Sequence, residues 1–218
     1  MHLFSYLNSS NPWMSDNSNH SSVQPLLNYF QQLIPLSEKE QELVVERFKP
    51  RLFRKKQYVH QEGQICTEMS FVVRGCLRMY KIDEKGSTHV LQFAVENYWI
   101  MDLGSFHRQK HSVLSIDALE DTVVLQISRP DLVSLYLAAP KFDRIFRVLS
   151  ENSFIRLQDR LLQNISSTAE DRYNSFLEVY PHMLNRLSQV QIASFLGITP
   201  EFLSRLRNKK TNGRSSKT

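Results

Sequence analysis

The sequence predicts an α+β protein: an N-terminal antiparallel β-barrel or jelly roll, then a long helix, then a C-terminal all-α domain built on a helix-turn-helix. Three observations carry this. Short β-rich runs separated by turn signals fill Arg51 to Ser128, one helical pattern runs from Lys141 to Ile165, and Leu187 to Lys210 has the residue types of two short crossed helices. With 218 residues and 41% hydrophobic content the chain can bury two modest cores. The expected divisions are residues 1–22 as a flexible leader, 23–138 as a barrel-based sensor domain, 139–166 as a linking and dimerisation helix, and 167–218 as the helix-turn-helix domain.

Met1 to Ser22 is rich in Ser and Asn and lacks apolar periodicity, which predicts a mobile leader despite Phe4, Tyr6 and Trp13. Gln24 to Phe48 reads as two helical pieces broken at Pro35, the second opened by a Ser37-x-x-Glu40 capping box. The clearest strand runs are Met69 to Met79, His89 to Val95, Val113 to Ala118 and Val123 to Ser128. Asp83 to Gly86 reads as a hairpin turn, and Glu62-Gly63 and Arg74-Gly75 mark further bends. Short strands at this spacing imply a small antiparallel barrel or jelly roll.

The β pattern ends after Arg129-Pro130. From Lys141 to Ile165, Phe142, Ile145, Phe146, Leu149, Leu157, Leu161 and Ile165 fall mostly on one side of a helix. Such a stripe packs either on its own barrel or on a second copy of itself, and pairing between copies is the favoured expectation. A Ser167-x-x-Glu170 capping box then opens a fresh helix that stops at Pro181, which puts an interdomain hinge near Ser166.

In the C-terminal stretch, Ile192, Leu196, Ile198, Leu203 and Leu206 supply the facing apolar sides of a helix pair. Ala193 and Gly197 put small residues at the turn, where the backbone conformation is costly for other residues. Ser188 reads as the cap of the first helix, and Thr199-Pro200 as cap and first position of the second. Pro200, Glu201, Ser204, Arg205 and Asn208 then face away from Leu203 and Leu206. Glutamate can accept from cytosine N4 and arginine can grip a guanine edge, so Glu201 and Arg205, four apart, form a base-reading pair. Arg207, Lys209 and Lys210 suit phosphates, and Ser188 and Gln189 complete the expected DNA-facing set.

Charge is distributed accordingly. From His182 to Thr218 seven basic side chains oppose Glu201 alone, a segment charge of +6, whereas the whole chain carries +5, leaving residues 1–181 at −1. Double-stranded DNA is the implied partner.

The order of barrel, long helix and helix-turn-helix resembles the Crp/Fnr family of transcription regulators. The resemblance is carried by Gly63, Arg74-Gly75, Asp83 to Gly86, Asp102-Leu103-Gly104 and above all Ile192 to Arg207. It implies a cyclic-nucleotide-binding-like barrel, a homodimer through the 141–165 helix, a palindromic DNA site and RNA polymerase as a further partner. Glu201 and Arg205 stand where the family has its base-reading glutamate and arginine. In cyclic-nucleotide-binding members a glutamate holds the ribose and an Arg-Ser or Arg-Ala pair holds the cyclic phosphate; here Asp102 stands at the first place and Ser112-Val113 at the second. Without the arginine a buried phosphate loses a charge-assisted fork, so cyclic AMP is not expected to bind usefully, and no cofactor is expected. Arg108, Lys110 and His111 lie nearby in sequence, with a surface loop as their expected home. An effector pocket, if the barrel has one, would use Asp102, Leu103, Gly104, Ser112 and Val113; a barrel serving only as scaffold is the alternative. About a dozen residues follow Leu206, leaving little room for the β-hairpin wing of many members.

Two other classes compete. Metal-dependent enzymes use similar barrels, but His60, His89, His107, His111 and His182 form no His-x-His pair followed by a glutamate. There is no glycine-rich phosphate loop and no Gly-x-Ser-x-Gly turn, so no enzyme is expected. An interaction module with non-specific nucleic-acid binding is the second. Cys66 and Cys76 are too few for a zinc or iron–sulfur ligand set and read as reduced core thiols. No apolar run reaches membrane-spanning length and the start lacks a signal pattern, so a cytoplasmic protein without a membrane partner is expected.

Overall fold

A computed structural model describes residues 16–215, with side chains described from Ser22 to Asn208. Two helices come first, α1 (Asp16–Leu33) and α2 (Glu38–Arg47). Eight strands follow: β1 (Lys49–Phe53), β2 (Tyr58–His60), β3 (Glu68–Arg74), β4 (Leu77–Ile82), β5 (Thr88–Ala94), β6 (Trp99–Ile100), β7 (Ser115–Ala118) and β8 (Thr122–Ser128). A short helix, α3 (Leu103–Arg108), interrupts them. The chain continues through α4 (Arg129–Ala138), α5 (Lys141–Ser166), α6 (Ala169–Val179), a 3-10 turn (Met183–Asn185), α7 (Gln189–Leu196) and α8 (Pro200–Ser215).

The strands form two antiparallel four-stranded sheets, ordered β1-β8-β3-β6 and β2-β7-β4-β5, which is the expected jelly roll. Between them lie Val72, Leu77, Ala94, Ile100, Ile116, Ala118 and Val124. Each sheet is also covered on its outer face. On the first sheet Phe71, Leu125 and Ile127 meet Leu26, Phe30, Val44, Leu132 and Phe142 from α1, α2, α4 and α5. On the second, Cys76, Tyr80, Val90 and Phe93 meet Tyr173, Phe176, Ile192 and Leu203 from the C-terminal helices. Burial on both faces explains why β3 and β8 read as near-continuous apolar runs.

The run expected as one strand from Met69 to Met79 is two strands bent at Gly75, whose φ is +104°. A Cβ there would stand 2.7 Å from Thr122 Cα, so glycine is required both by angle and by space. β1 carries no alternating signal because it is an edge strand, largely exposed and holding Pro50, a residue sheets tolerate at edges.

Three expectations need correction. The leader is shorter than residues 1–22, because α1 begins at Asp16 and buries Val23, Leu26, Leu27 and Phe30 against the first sheet; residues 1–15 lie outside the described residues. The cap of α6 is one residue later than expected, with Thr168 and Asp171 forming the box. Ser167 instead ends α5, donating its N–H to Gln163 O at 3.0 Å. The apolar stripe of α5 is split: Phe142, Ile145 and Phe146 are buried in the protein's own core, whereas Leu157, Leu161 and Ile165 are 63%, 57% and 75% exposed. Ser37 caps α2 with Glu40 as expected.

Candidate nucleic-acid interface

The helix pair is built by local chemistry. Ser188 and Gln191 form a full capping box at the start of α7, the Ser188 N–H donating to Gln191 Oε1 at 2.8 Å. Gly197 ends α7 in the left-handed region at φ +66°, and its N–H returns to Ala193 O and Ser194 O. Open space surrounds its Cα, so glycine is needed there for the backbone angle rather than for close helix approach. Thr199 Oγ1 accepts from Phe202 N–H at 3.2 Å and so caps α8, with Pro200 at the first helical position.

Ile192, Ala193, Leu196 and Leu203 are buried, and Ile198 and Leu206 pack against them. That orientation turns Glu201 and Arg205 outward, and both are exposed. Asn208, Ser188, Gln189 and Thr199 are exposed as well, while Pro200, Ser204 and Arg207 are half-buried. Lys209 and Lys210 lie outside the described side chains. The sequence reading missed Phe202, whose ring lies 5.5 Å from the Arg205 guanidinium. The i, i+3 spacing of an aromatic and an arginine on one helix was the available signal.

In the barrel, Asp102 and Ser112 come together. Ser112 Oγ donates to Asp102 Oδ2 at 2.6 Å, while Asp102 Oδ1 accepts the Ser105 N–H at 3.1 Å and caps α3. Both carboxylate oxygens therefore have protein donors. Leu103 and Val113 are half or more exposed, and Arg108, Lys110 and His111 are exposed too, the last turned to Gly63 O at 2.7 Å. His60 is buried nearby; burial lowers its pKa below the usual histidine value, against the pull of Asp102. Cys66 and Cys76 are buried free thiols, and burial pushes that of Cys76 up to about 12.

The helix-turn-helix is seated on the outer face of β4 and β5, a contact for which the sequence held no local signal. Phe195 of α7 packs 5.2 Å from Phe93 and 5.7 Å from Phe176, ring centre to ring centre. Ser194 Oγ accepts the Val90 N–H at 3.1 Å, and Tyr180 donates its hydroxyl to Phe93 O at 3.3 Å. Arg186 forks onto Glu96 at 3.0 and 3.1 Å and also meets Glu120. Burial raises the Glu96 carboxyl, but hydrogen bonds from Arg186 and the Gly75 N–H outweigh it and hold Glu96 below the ordinary glutamate value.

Residues 50–138 match the family model of the cyclic nucleotide-binding domain. No curated protein sequence matches the chain. Among solved structures, FixK2 from Bradyrhizobium japonicum is similar at 21% identity and a TM-score of 0.66, over 76% of this chain and 86% of that one. A protein from Eubacterium rectale described as a regulator of the Crp/Fnr family aligns at 19% identity and a TM-score of 0.65, covering 85% and 89% of the two chains. The catabolite activator protein of Thermus thermophilus aligns at 19% identity and a TM-score of 0.52, covering 83% and 86%. The chain has the fold of the Crp/Fnr regulators. Within the Crp/Fnr fold the matched domain runs from β1 to the end of α4, and α5 to α8 lie beyond it. Among the described residues no helix is long and apolar enough to cross a membrane, and no three metal-ligating side chains cluster.

Proposed function

We propose that the protein is a sequence-specific DNA-binding transcription regulator that acts as a homodimer on a palindromic site and contacts RNA polymerase there. One observation carries the reading: Glu201 and Arg205 project from the outer face of α8 while Leu203 anchors its inner face completely. Arg205 and Glu201 are the base readers on a face shared with Pro200, Ser204 and Asn208, while Ser188, Gln189, Thr199, Arg207, Lys209 and Lys210 are assigned to the DNA backbone. Residues 23–138 serve as sensor or scaffold, 139–166 as the dimer helix and 167–218 as the DNA-binding unit.

Dimerisation is supported by the exposed half of α5, where Leu157, Leu161 and Ile165 recur at helical spacing beside Phe154. Two recognition helices paired in this way would enter successive major grooves about one helical turn apart. Cyclic AMP is not the effector, because the positions expected to hold its phosphate are Ser112 and Val113 and the Asp102 carboxylate is engaged by Ser112 and the α3 backbone. Calorimetric titration with cyclic AMP should give no heat of binding; micromolar affinity would overturn that part. The regulator reading itself is tested by selecting bound fragments from random duplex DNA. A two-fold symmetric consensus is expected, and recovery without consensus would identify a non-specific binder instead.

A further inference from the structure

A cleft of about 410 Å³ opens where β5, the last turns of α5, the first turn of α6 and the C-terminal end of α7 converge. Its volume lies in the range of small-molecule sites. Arg160 of α5 donates to the main-chain oxygens of Val90, Leu91 and Phe195, with its guanidinium 4.0 Å from the centre of the Phe195 ring. Arg172 of α6 donates through Nε to Leu196 O at 3.2 Å and through Nη1 to Ser167 O at 2.9 Å. Phe195 and Leu196 are consecutive, so both guanidiniums dock on carbonyls of the same helix end.

Among the described residues no ion pair includes Arg160 or Arg172, and no Asp or Glu lines the cleft. His89 at the rim is already held by Asp83 at 2.8 Å. The end of α7 offers roughly half a negative charge, too little to balance two neighbouring cations. Burial works against the charge on Arg160 and lowers its pKa, with only Tyr180 acting the other way. Main-chain oxygens and the Phe195 ring offset part of the cost of holding these charges away from water, and a counter-ion offsets more of it. Donors remain for one, because Arg160 Nε and Arg172 Nη2 make no hydrogen bond to protein among the described residues.

We infer that this cleft is an anion site in which Arg160 and Arg172 jointly bind the phosphate of a small molecule, with Asn164 on the adjoining wall. A phosphate carries close to two negative charges and several acceptor oxygens, matching two guanidinium forks where a single carboxylate would balance only one. The space left beside it admits an attached organic group. Because β5, α5 and α7 all contribute walls, the ligand binds only while α7 is seated on the barrel, and its binding stabilises that arrangement over any in which they separate. The inference does not depend on DNA binding, and its test contains no DNA.

The test is calorimetry and thermal unfolding of the full chain with inorganic phosphate or ribose 5-phosphate, chloride being adjusted to hold ionic strength constant. Expected are saturable binding of one molecule per chain, a raised midpoint, and slower amide exchange in β5 and α7. Arg172→Gln should bind at least roughly tenfold more weakly, Arg172→Lys, which keeps charge without the fork, should be intermediate, and Arg129→Gln, on the opposite face, should match the unaltered protein. Tighter binding of ribose 5-phosphate would identify a phosphorylated organic ligand, and equal binding would identify phosphate itself; either sustains the site. Undiminished binding in both Arg172 variants, or stabilisation that chloride reproduces at the same ionic strength, would overturn it.

Discussion

The two outer faces of the jelly roll are covered in different ways. Against the first sheet α1, α4 and α5 press an aromatic cluster in which Phe30 packs on Phe48, Trp99, Phe142 and Phe146 with ring centres 5.8 to 6.2 Å apart. Against the second sheet the helices also bury an apolar cluster, with Phe93, Phe176, Tyr180 and Phe195 in ring contact, but hydrogen bonds to main-chain oxygens and the Arg186 ion pairs are added to it. A large apolar contact is insensitive to pH and salt, whereas charged and hydrogen-bonded contacts exchange with water at modest net energy. The second face therefore depends more on charge and hydrogen bonding than the first, and is expected to loosen before it.

Truncating Phe30 should produce the largest effect. Phe30→Ala is expected to destabilise the protein by about 3 to 5 kcal/mol in urea unfolding, since the fully buried ring touches α2, α5 and the sheet. A loss under 1 kcal/mol would mean that this face is no more permanent than the other. On the solvent-facing side of α8, if the proposed reading holds, Arg205→Ala should cost about 1 to 3 kcal/mol at the selected DNA site and relax preference at one position. Lys209→Ala should instead weaken all sequences alike and flatten the salt dependence. Phe195→Ala should loosen the second face by about 1 to 2 kcal/mol, read as faster amide exchange in α7 and β5 while the Phe30 face keeps its protection. Global unfolding in that variant would dissolve the distinction between the faces.

The smallest effect expected is that of acid. Glu96 is held below the ordinary glutamate value of 4.5, so its contribution to the second face is complete above that value and fades as the pH falls through the lower, folded-state value. Amide exchange in α7 and α8 should accelerate over that window, and Glu96→Gln should reduce that acid dependence, while Asp171 at the cap of α6 and Glu40 beside Lys141, both also held below their ordinary values, add their own. Simultaneous loss at both faces would contradict the proposed difference.

Much of this was legible in the chain, for reasons that are local. Ser37, Ser188 and Thr199 cap helices because a hydroxyl within reach of free N–H groups is a short-range arrangement. Gly75 and Gly197 mark positive φ because a residue with a Cβ at those positions would adopt it only with strain. The outward pair Glu201 and Arg205 followed from the position of Leu203 by helical periodicity alone. The cap of α6 was misassigned by one residue because Ser167 and Thr168 are both competent, each followed three residues later by an acid. Edge strand β1 and the two-residue β6 were illegible, having too few alternating positions to register.

By itself the chain determined the order of elements, the helix ends, the bends and the face that α8 turns outward, because each depends on residues within a turn or two of one another. Only the tertiary structure decided that α5 would bury its first half and leave Leu157, Leu161 and Ile165 uncovered, and that Arg186 would find Glu96 and Glu120. It also decided that Arg160 and Arg172, twelve positions apart on separate helices, would both dock on the end of α7, with no ion pair to either among the described residues. Those outcomes depend on which distant surfaces arrive together, and a charge or an apolar stripe in sequence does not say what will stand opposite it.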